Sequence, residues 1–199
     1  MSEFLEAVRK RQSIRVLGKP IAIDDRELVR LLGELIMNLP TANNMQSTRM
    51  VLLLGEEHNK LWDIVLETLK KQPGSNIGER TEKKLAGFKA GHGSILFFDD
   101  EAVTREYMQK YPLYTDQFPL WALQQNGMLQ FAVWTALADK EIGASLQHYN
   151  PLINEAVKQA WNLPEPWELY SQMPFGQRAE TPGEKKFEPL EKRLFLFGQ

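Results

Sequence analysis

The sequence predicts a mixed α and β domain built on one sizeable core. Three observations carry this. Leu28, Leu31, Leu32, Leu35 and Ile36 fall at i, i+3, i+4, i+7 and i+8, a helical stripe. Met50 to Gly55 and Ser94 to Phe98 are short apolar runs of the kind that form buried strands. Between Asp116 and Asp139 there is no charged side chain at all. A chain of 199 residues fits one domain.

The uncharged run from Leu120 onward is long enough to span a bilayer, where roughly 20 apolar residues suffice. Gln124, Gln125, Asn126 and Gln130 interrupt it, and unpartnered amides are costly in lipid. It therefore predicts a helix buried in a protein core, not a membrane span, with its amides satisfied inside. That helix is expected to stop near Gly143, and Ala144 to Tyr149 then reads as a strand.

Lys plus Arg number 24 and Asp plus Glu 26, so there is no broad field to attract nucleic acid or an anionic membrane. Cysteine is absent, which excludes disulfides and thiolate metal sites and fits a reducing compartment. The opening residues MSEFLEAVRKRQS have no apolar signal-peptide core, and the expected location is the cytoplasm.

Along the chain, Ser2 can cap a first helix that carries Phe4, Leu5 and Val8 and ends in basic residues. The stretch Arg11-Gln12-Ser13-Ile14-Arg15 reads either as a solvated helix end or as an anion site around a hydroxyl. Asp24 with Glu27 opens the next helix, which ends by Pro40. Residues 40–48 form a polar loop with Asn43, Asn44 and Gln46. Lys60 to Lys71 is amphipathic, and Gln72 to Asn76 breaks that helix. Glu79 to Ala90 reads as a charged surface helix, and Asp99-Asp100 as the end of the second strand. Glu101 to Lys110 resumes a helix, and 111–119 is an aromatic, proline-rich connector. Asn154 to Trp161 is a short helix, Glu168 to Met173 a strand, and Pro174-Phe175-Gly176 a turn. The tail from Gln177 is polar and then too apolar, from Phe187 to Phe197, to hang in water.

Composition and spacing do not name a reaction. There is no glycine-rich phosphate loop and no nucleophile elbow. His58, His92 and His148 lack metal-ligand spacing.

Four stretches taken together resemble the nitroreductase family of flavin mononucleotide (FMN) enzymes. They are Arg11-Gln12-Ser13-Ile14-Arg15, residues 40–46, residues 143–151, and Met173-Pro174-Phe175-Gly176 with Pro182-Gly183-Glu184-Lys185. The later two are most similar to the subgroup of the fungal fatty-acid-repression-mutant protein and the bacterial copper-induced nitroreductases. The resemblance implies an α+β fold, with a central, mainly antiparallel sheet flanked by helices. It implies an intertwined homodimer with FMN in the interface, the tail (about 177–199) packing on the partner. Arg11, Ser13 and Arg15 fall on the family's phosphate pattern, with Gln12 among them. Asn44 falls on the asparagine that contacts the flavin ring, with Gln46 beside it. Gln147, His148 and Tyr149 fall on the strand that offers backbone groups to the ring. One departure stands out: where many members carry Lys-x-Arg-x-Pro, this chain has Lys185-Lys186-Phe187-Glu188-Pro189, so Lys185 acts alone or Arg193 substitutes. Weaker FMN retention is expected to follow.

The implied activity is ping-pong reduction of nitroaromatics or quinones by NADH or NADPH. The flavin carries the chemistry, so no side chain need serve as general acid and no metal is involved. A competing reading is a flavin-binding regulatory or stress-sensing protein whose reductase activity is incidental.

Overall fold

The computed structural model describes residues 2–72 and 77–198. Seven helices and five strands are labelled here in chain order. The first helix, α1 (Glu3–Lys10), is capped by Ser2, whose hydroxyl accepts from Leu5 N–H, and α2 (Asp25–Met37) by Asp24, which accepts from Glu27 N–H at 2.8 Å. Both caps follow the sequence reading. Between them lies the two-residue strand β1 (Leu17–Gly18).

The strands β2 (Thr48–Leu54), β3 (Gly93–Asp100) and β5 (Trp167–Arg178) form the sheet, ordered β1-β5-β3-β2 and antiparallel throughout, with β4 (Ile142–Ala144) on β5. The architecture is thus the expected α+β one, helices flanking an antiparallel sheet. One core lies between the sheet and α2 with α6 (Phe118–Asp139): Leu28, Ile95, Phe97, Leu129, Val133 and Met173 are fully buried there. A second lies on the other face, where α3 (Gly55–Lys70), α4 (Glu79–Lys89) and α7 (Asn154–Trp161) bring Leu61, Trp62, Phe88 and Val157 against Leu96 and Phe98. The remaining helix, α5 (Glu101–Lys110), follows β3 directly.

Several boundaries differ from the sequence reading. Gly55 leaves β2 and starts α3, because its φ of +54° lets the chain turn straight off the strand. The helix therefore begins five residues before Lys60, with Glu56 and Glu57 suited to its first turn. Of the break at Gln72 to Asn76, residues 73–76 lie outside the described residues. The charged helix α4 is not purely a surface element, since it buries Leu85 and Phe88. The strand β3 does not stop at Phe98 but includes Asp99 and Asp100 as its last two residues, and Asp99 is buried.

The uncharged helix ends at Asp139, not near Gly143; Glu141 takes a φ of +57° and Gly143 already sits in β4. Of the predicted strand from Ala144 to Tyr149, Ala144 ends β4 and the rest is reduced to an isolated bridge between Gln147 and Gln172. Pro174-Phe175-Gly176 is not a turn; β5 runs through it to Arg178. Proline fits because Pro174 C=O accepts from Ser145 N–H, so its missing N–H faces that loosely paired side and leaves the β3 ladder intact. Gly176 is required by close approach: a Cβ there would sit 2.2 Å from Gly18 O. Among the described residues, no helix is long and apolar enough to cross a membrane. The tail residues Phe187, Leu190, Leu194, Phe195, Leu196 and Phe197 are all exposed on the single chain.

Candidate flavin site

The side-chain N–H groups of three α6 amides find acceptors, as buried donors must. Gln125 Nε2 donates to Ser47 Oγ, Asn126 Nδ2 to Phe98 O, and Gln130 Nε2 to Asn126 Oδ1. On either side of these lie two groups of the residues singled out by sequence.

The first group centres on Arg11. It ends α1, donates its N–H to Ala7 O, and lays its guanidinium over the Trp134 ring, 4.5 Å from the centroid. Trp134 is itself pinned by its Nε1–H to Ala144 O at 3.2 Å, and Ile14 N–H donates to the same carbonyl at 2.9 Å. Ser13 is thereby held in a parallel bridge to Ala144. Arg15 is fixed through its backbone, whose N–H donates to the Glu180 carboxylate, leaving the side chain exposed. Lys185 joins from the tail and donates to Arg11 O at 3.4 Å. Its pKa is lowered, first by desolvation and then by the Arg11 charge. Two cations come together here, and among the described residues neither is paired with a carboxylate, the donor set a phosphate monoester needs. Gln12 sits half-buried between these residues. Arg193 closes a short turn through its N–H to Leu190 O and is exposed; no bond brings it to Arg11 among the described residues.

The strand-like segment after β4 continues this group. Gln147 N–H donates to Gln172 O at 2.7 Å and Tyr149 N–H to Gln172 Oε1 at 2.8 Å. The His148 N–H between them has no partner among the described residues, so it is the backbone donor left to offer. The His148 side chain is exposed. The Tyr149 ring, whose hydroxyl pKa is raised by burial, lies under the Lys84 ammonium, 5.7 Å from the ring centroid. The Lys84 pKa is lowered, chiefly by desolvation and further by Arg15 and Arg80. Lys84 was missed by the sequence reading, which saw only a charged helix; the i, i+4 pairing with buried Phe88, 5.5 Å from the ammonium, was the available signal.

The second group is the loop at 40–48. Asn43, Asn44 and Gln46 have φ of 50°, 57° and 53°, conformations that cost free energy outside glycine and cluster at functional sites. Thr41 holds the loop, its C=O accepting from Asn44 N–H and its hydroxyl from Gln46 N–H. Gln46 spends its side-chain amide on Asn44 O, whereas the exposed Asn44 amide has no hydrogen bond among the described residues. A cleft of about 400 Å³ opens between this loop and α6, lined by Pro40, Thr41, Ala42, Asn43, Trp121 and Gln125 among others. Among the described residues, no hydrogen bond or shared lining joins this group to the Arg11 group. The α6 residues that mark the two, Gln125 and Trp134, are about 13 Å apart along a helix rising about 1.5 Å per residue.

Comparison with known proteins bears on the class. The model of the nitroreductase family matches residues 8–177. The chain therefore belongs to the nitroreductase family, whose chemistry is oxidoreduction. Among its relatives, the putative nitroreductase HBN1 of Saccharomyces cerevisiae is 30% identical over 197 residues, covering 98% of each chain. Nitroreductase FRM2 of the same yeast is 33% identical over 194 residues, covering 92% of each. The solved nitroreductase CinD from Lactococcus lactis, in complex with nicotinic acid, superposes with a TM-score of 0.92 at 41% identity, over 98% of this chain and 100% of that one. CinD has also been solved with chloramphenicol and with 4-nitrophenol. A nitroreductase with bound FMN from Desulfitobacterium hafniense shares the fold, with a TM-score of 0.70 at 17% identity over 100% of both chains.

Proposed function

We propose that this chain is an FMN-dependent NAD(P)H oxidoreductase that reduces nitroaromatics or quinones as a homodimer. The observation that carries the reading is the convergence of Arg11 and Lys185 near Ser13, neither of them paired with an acid among the described residues. Arg11, held flat by Trp134, and Lys185 hold the phosphate, assisted by Gln12 and the Ser13 hydroxyl. With Phe187 where many members carry arginine, Lys185 acts alone from the tail, and Arg193 takes no part. His148 contributes its backbone N–H to the ring edge, flanked by Gln147 and Tyr149. Arg15 and Lys84 supply positive charge on the same side, where it stabilises negative charge developing on the ring. FMN held by these residues would supply the two-electron redox chemistry that links NADH or NADPH to a nitroaromatic or quinone.

The loop carrying Asn44 and Gln46 belongs to the same site only if a second copy completes it. The exposed apolar residues Leu120, Leu123, Met128 and Phe131 on α6, and the apolar tail, are the surface such a partner would cover. The 4-nitrophenol and nicotinic acid complexes of CinD support planar aromatic ligands. The test is NAD(P)H consumption by the FMN-loaded protein with a nitroaromatic or a quinone. Steady consumption that depends on added FMN supports the reading. FMN binding without consumption contradicts it and supports a sensing role.

A further inference from the structure

Behind the cleft at the 40–48 loop lies a polar chain that no role above uses. Asp99 is 1% exposed and accepts from Ser47 Oγ on one carboxylate oxygen and from Thr104 Oγ1 at 2.8 Å on the other. Ser47 is fully buried and has one hydroxyl proton, which is committed to Asp99. Its oxygen is therefore an acceptor toward everything else, and Gln125 Nε2 donates to it at 2.7 Å. Turning the Gln125 amide over would set two acceptors face to face. The carboxylate thus dictates which end of an amide two bonds away is turned from Ser47. That end is Gln125 Oε1, buried and without a partner among the described residues, on a side chain that lines the cleft. A native structure does not leave a buried acceptor unmet without reason.

We propose that Asp99 is a positioning residue that, through Ser47, presents Gln125 Oε1 to the cleft, so that the cleft selects a planar ring with an N–H or O–H donor at its edge. The ring is stacked near Trp121, which lines the same wall. Two sources have this chemistry, the flavin ring itself through its N3–H and an aromatic electron acceptor bearing an amino or hydroxyl group. The assignment of the ring to either source rests on the oxidoreductase reading; the amide orientation does not. Burial, with Asp100 and Glu101 nearby, disfavours the Asp99 charge, while Ser47 and Thr104 favour it, and Tyr170 from β5 lies in its field.

The experiment measures binding by calorimetry in two arms. One compares FMN with its N3-methyl analogue on FMN-free protein. The other compares 4-nitroaniline with 4-nitrotoluene, equal in shape but lacking the donor, on both FMN-loaded and FMN-free protein. Wild-type protein should favour the donor-bearing member of at least one pair by about fivefold, the worth of one neutral hydrogen bond. Gln125→Leu and Ser47→Ala should both bring that ratio to about one, by the same reasoning. Asp99→Asn keeps a carbonyl for Ser47 and should retain the ratio, whereas Asp99→Ala should lose it. The arm that responds names the source. Wild-type ratios near one in both arms, or ratios unchanged in Gln125→Leu, overturn the proposal. A ratio lost in Gln125→Leu but intact in Ser47→Ala overturns the role of Asp99. Should Asp99→Ala not fold, Ser47→Ala alone decides, since it cuts the same chain and leaves the carboxylate in place. Failure to bind FMN at all would sink the cofactor reading while leaving the nitroaniline arm readable.

Discussion

Replacing Arg11 with alanine removes one of the two cations of the proposed phosphate site and leaves the other, Lys185, in place. The guanidinium stacks on Trp134 at 4.5 Å, so its geometry is set before any anion arrives and little side-chain entropy is lost on binding. A charge-assisted bond of this kind contributes about 1.5–3 kcal/mol, so FMN affinity should fall by roughly 10- to 150-fold. Arg11→Lys keeps the charge but loses the planar fork and the stacking, and should fall in between. Arg193→Ala is the control, because that side chain is exposed and nothing ties it to the site. The assay is titration of FMN-free protein by flavin fluorescence, with melting temperature checked for each variant. Equal affinities for Arg11→Ala and Arg193→Ala would refute the phosphate assignment. A wild-type affinity that is insensitive to salt would refute it as well, since ion-paired phosphate binding weakens as salt rises.

Other outcomes follow from the same structure. Asn44→Ala should slow flavin reduction by NAD(P)H in FMN-saturated protein with little change in melting temperature, while Asn43→Ala does much less; stopped-flow absorbance decides, and a wild-type rate would return Asn44 to the turn. Light scattering at micromolar concentration should give the mass of two chains, and deleting residues 187–199 should weaken that association; a monomeric mass would remove the reason given for the exposed tail. His58 is buried, its ring between Ser94 Oγ and Lys89 O, and desolvation lowers its pKa to about 4. The unfolded imidazole takes a proton near pH 6.5 that the folded one refuses, so this contribution to stability is intact above about pH 6.5 and drains away down to about pH 4. Histidine resonances followed by NMR should show one ring still neutral at pH 5, and its titration near pH 6.5 would contradict the buried placement.

The elements were legible wherever local chemistry decides. Ser2 and Asp24 announce their helices because a cap is a short-range bond, and the Leu28 stripe is a one-face pattern. Ser94 to Phe98 could be read as a strand because both its faces are covered. Pro174 misled because its fitness for a strand depends on which side its missing N–H faces, a tertiary fact. The end of α6 was misplaced because glycine near a helix end is a common stop, whereas here Glu141 takes the positive φ. In the site, Arg11 and Ser13 stood out through motif spacing, but not the Trp134 ring that orients Arg11. That Lys185 and not Arg193 reaches Arg11 depends on where an extended tail runs, which spacing does not encode. The Ser47–Asp99 and Gln125–Ser47 bonds span 52 and 78 positions, and no local pattern marks them; Lys84 lies 65 positions from Tyr149 and had only its spacing to Phe88 to mark it.

The central claim is that one flavin site takes its phosphate cations from one chain and its Asn44 loop from another. Co-expression of Arg11→Ala chains with Asn44→Ala chains tests it directly. Each variant alone has a defect in every site. In a mixed dimer built across the interface, one site is broken twice and the other is intact, so random assembly should leave about a quarter of all sites whole. The measurement is the rate of flavin reduction by NAD(P)H, at an FMN concentration that saturates wild-type protein but not Arg11→Ala. A fast phase of wild-type rate is expected, with about a quarter of the amplitude that an equal concentration of wild-type sites gives, as the symmetry of the mixed dimer requires. Absence of that phase, in preparations where mixed dimers are shown to form, would mean that both groups serve one chain and would contradict the account.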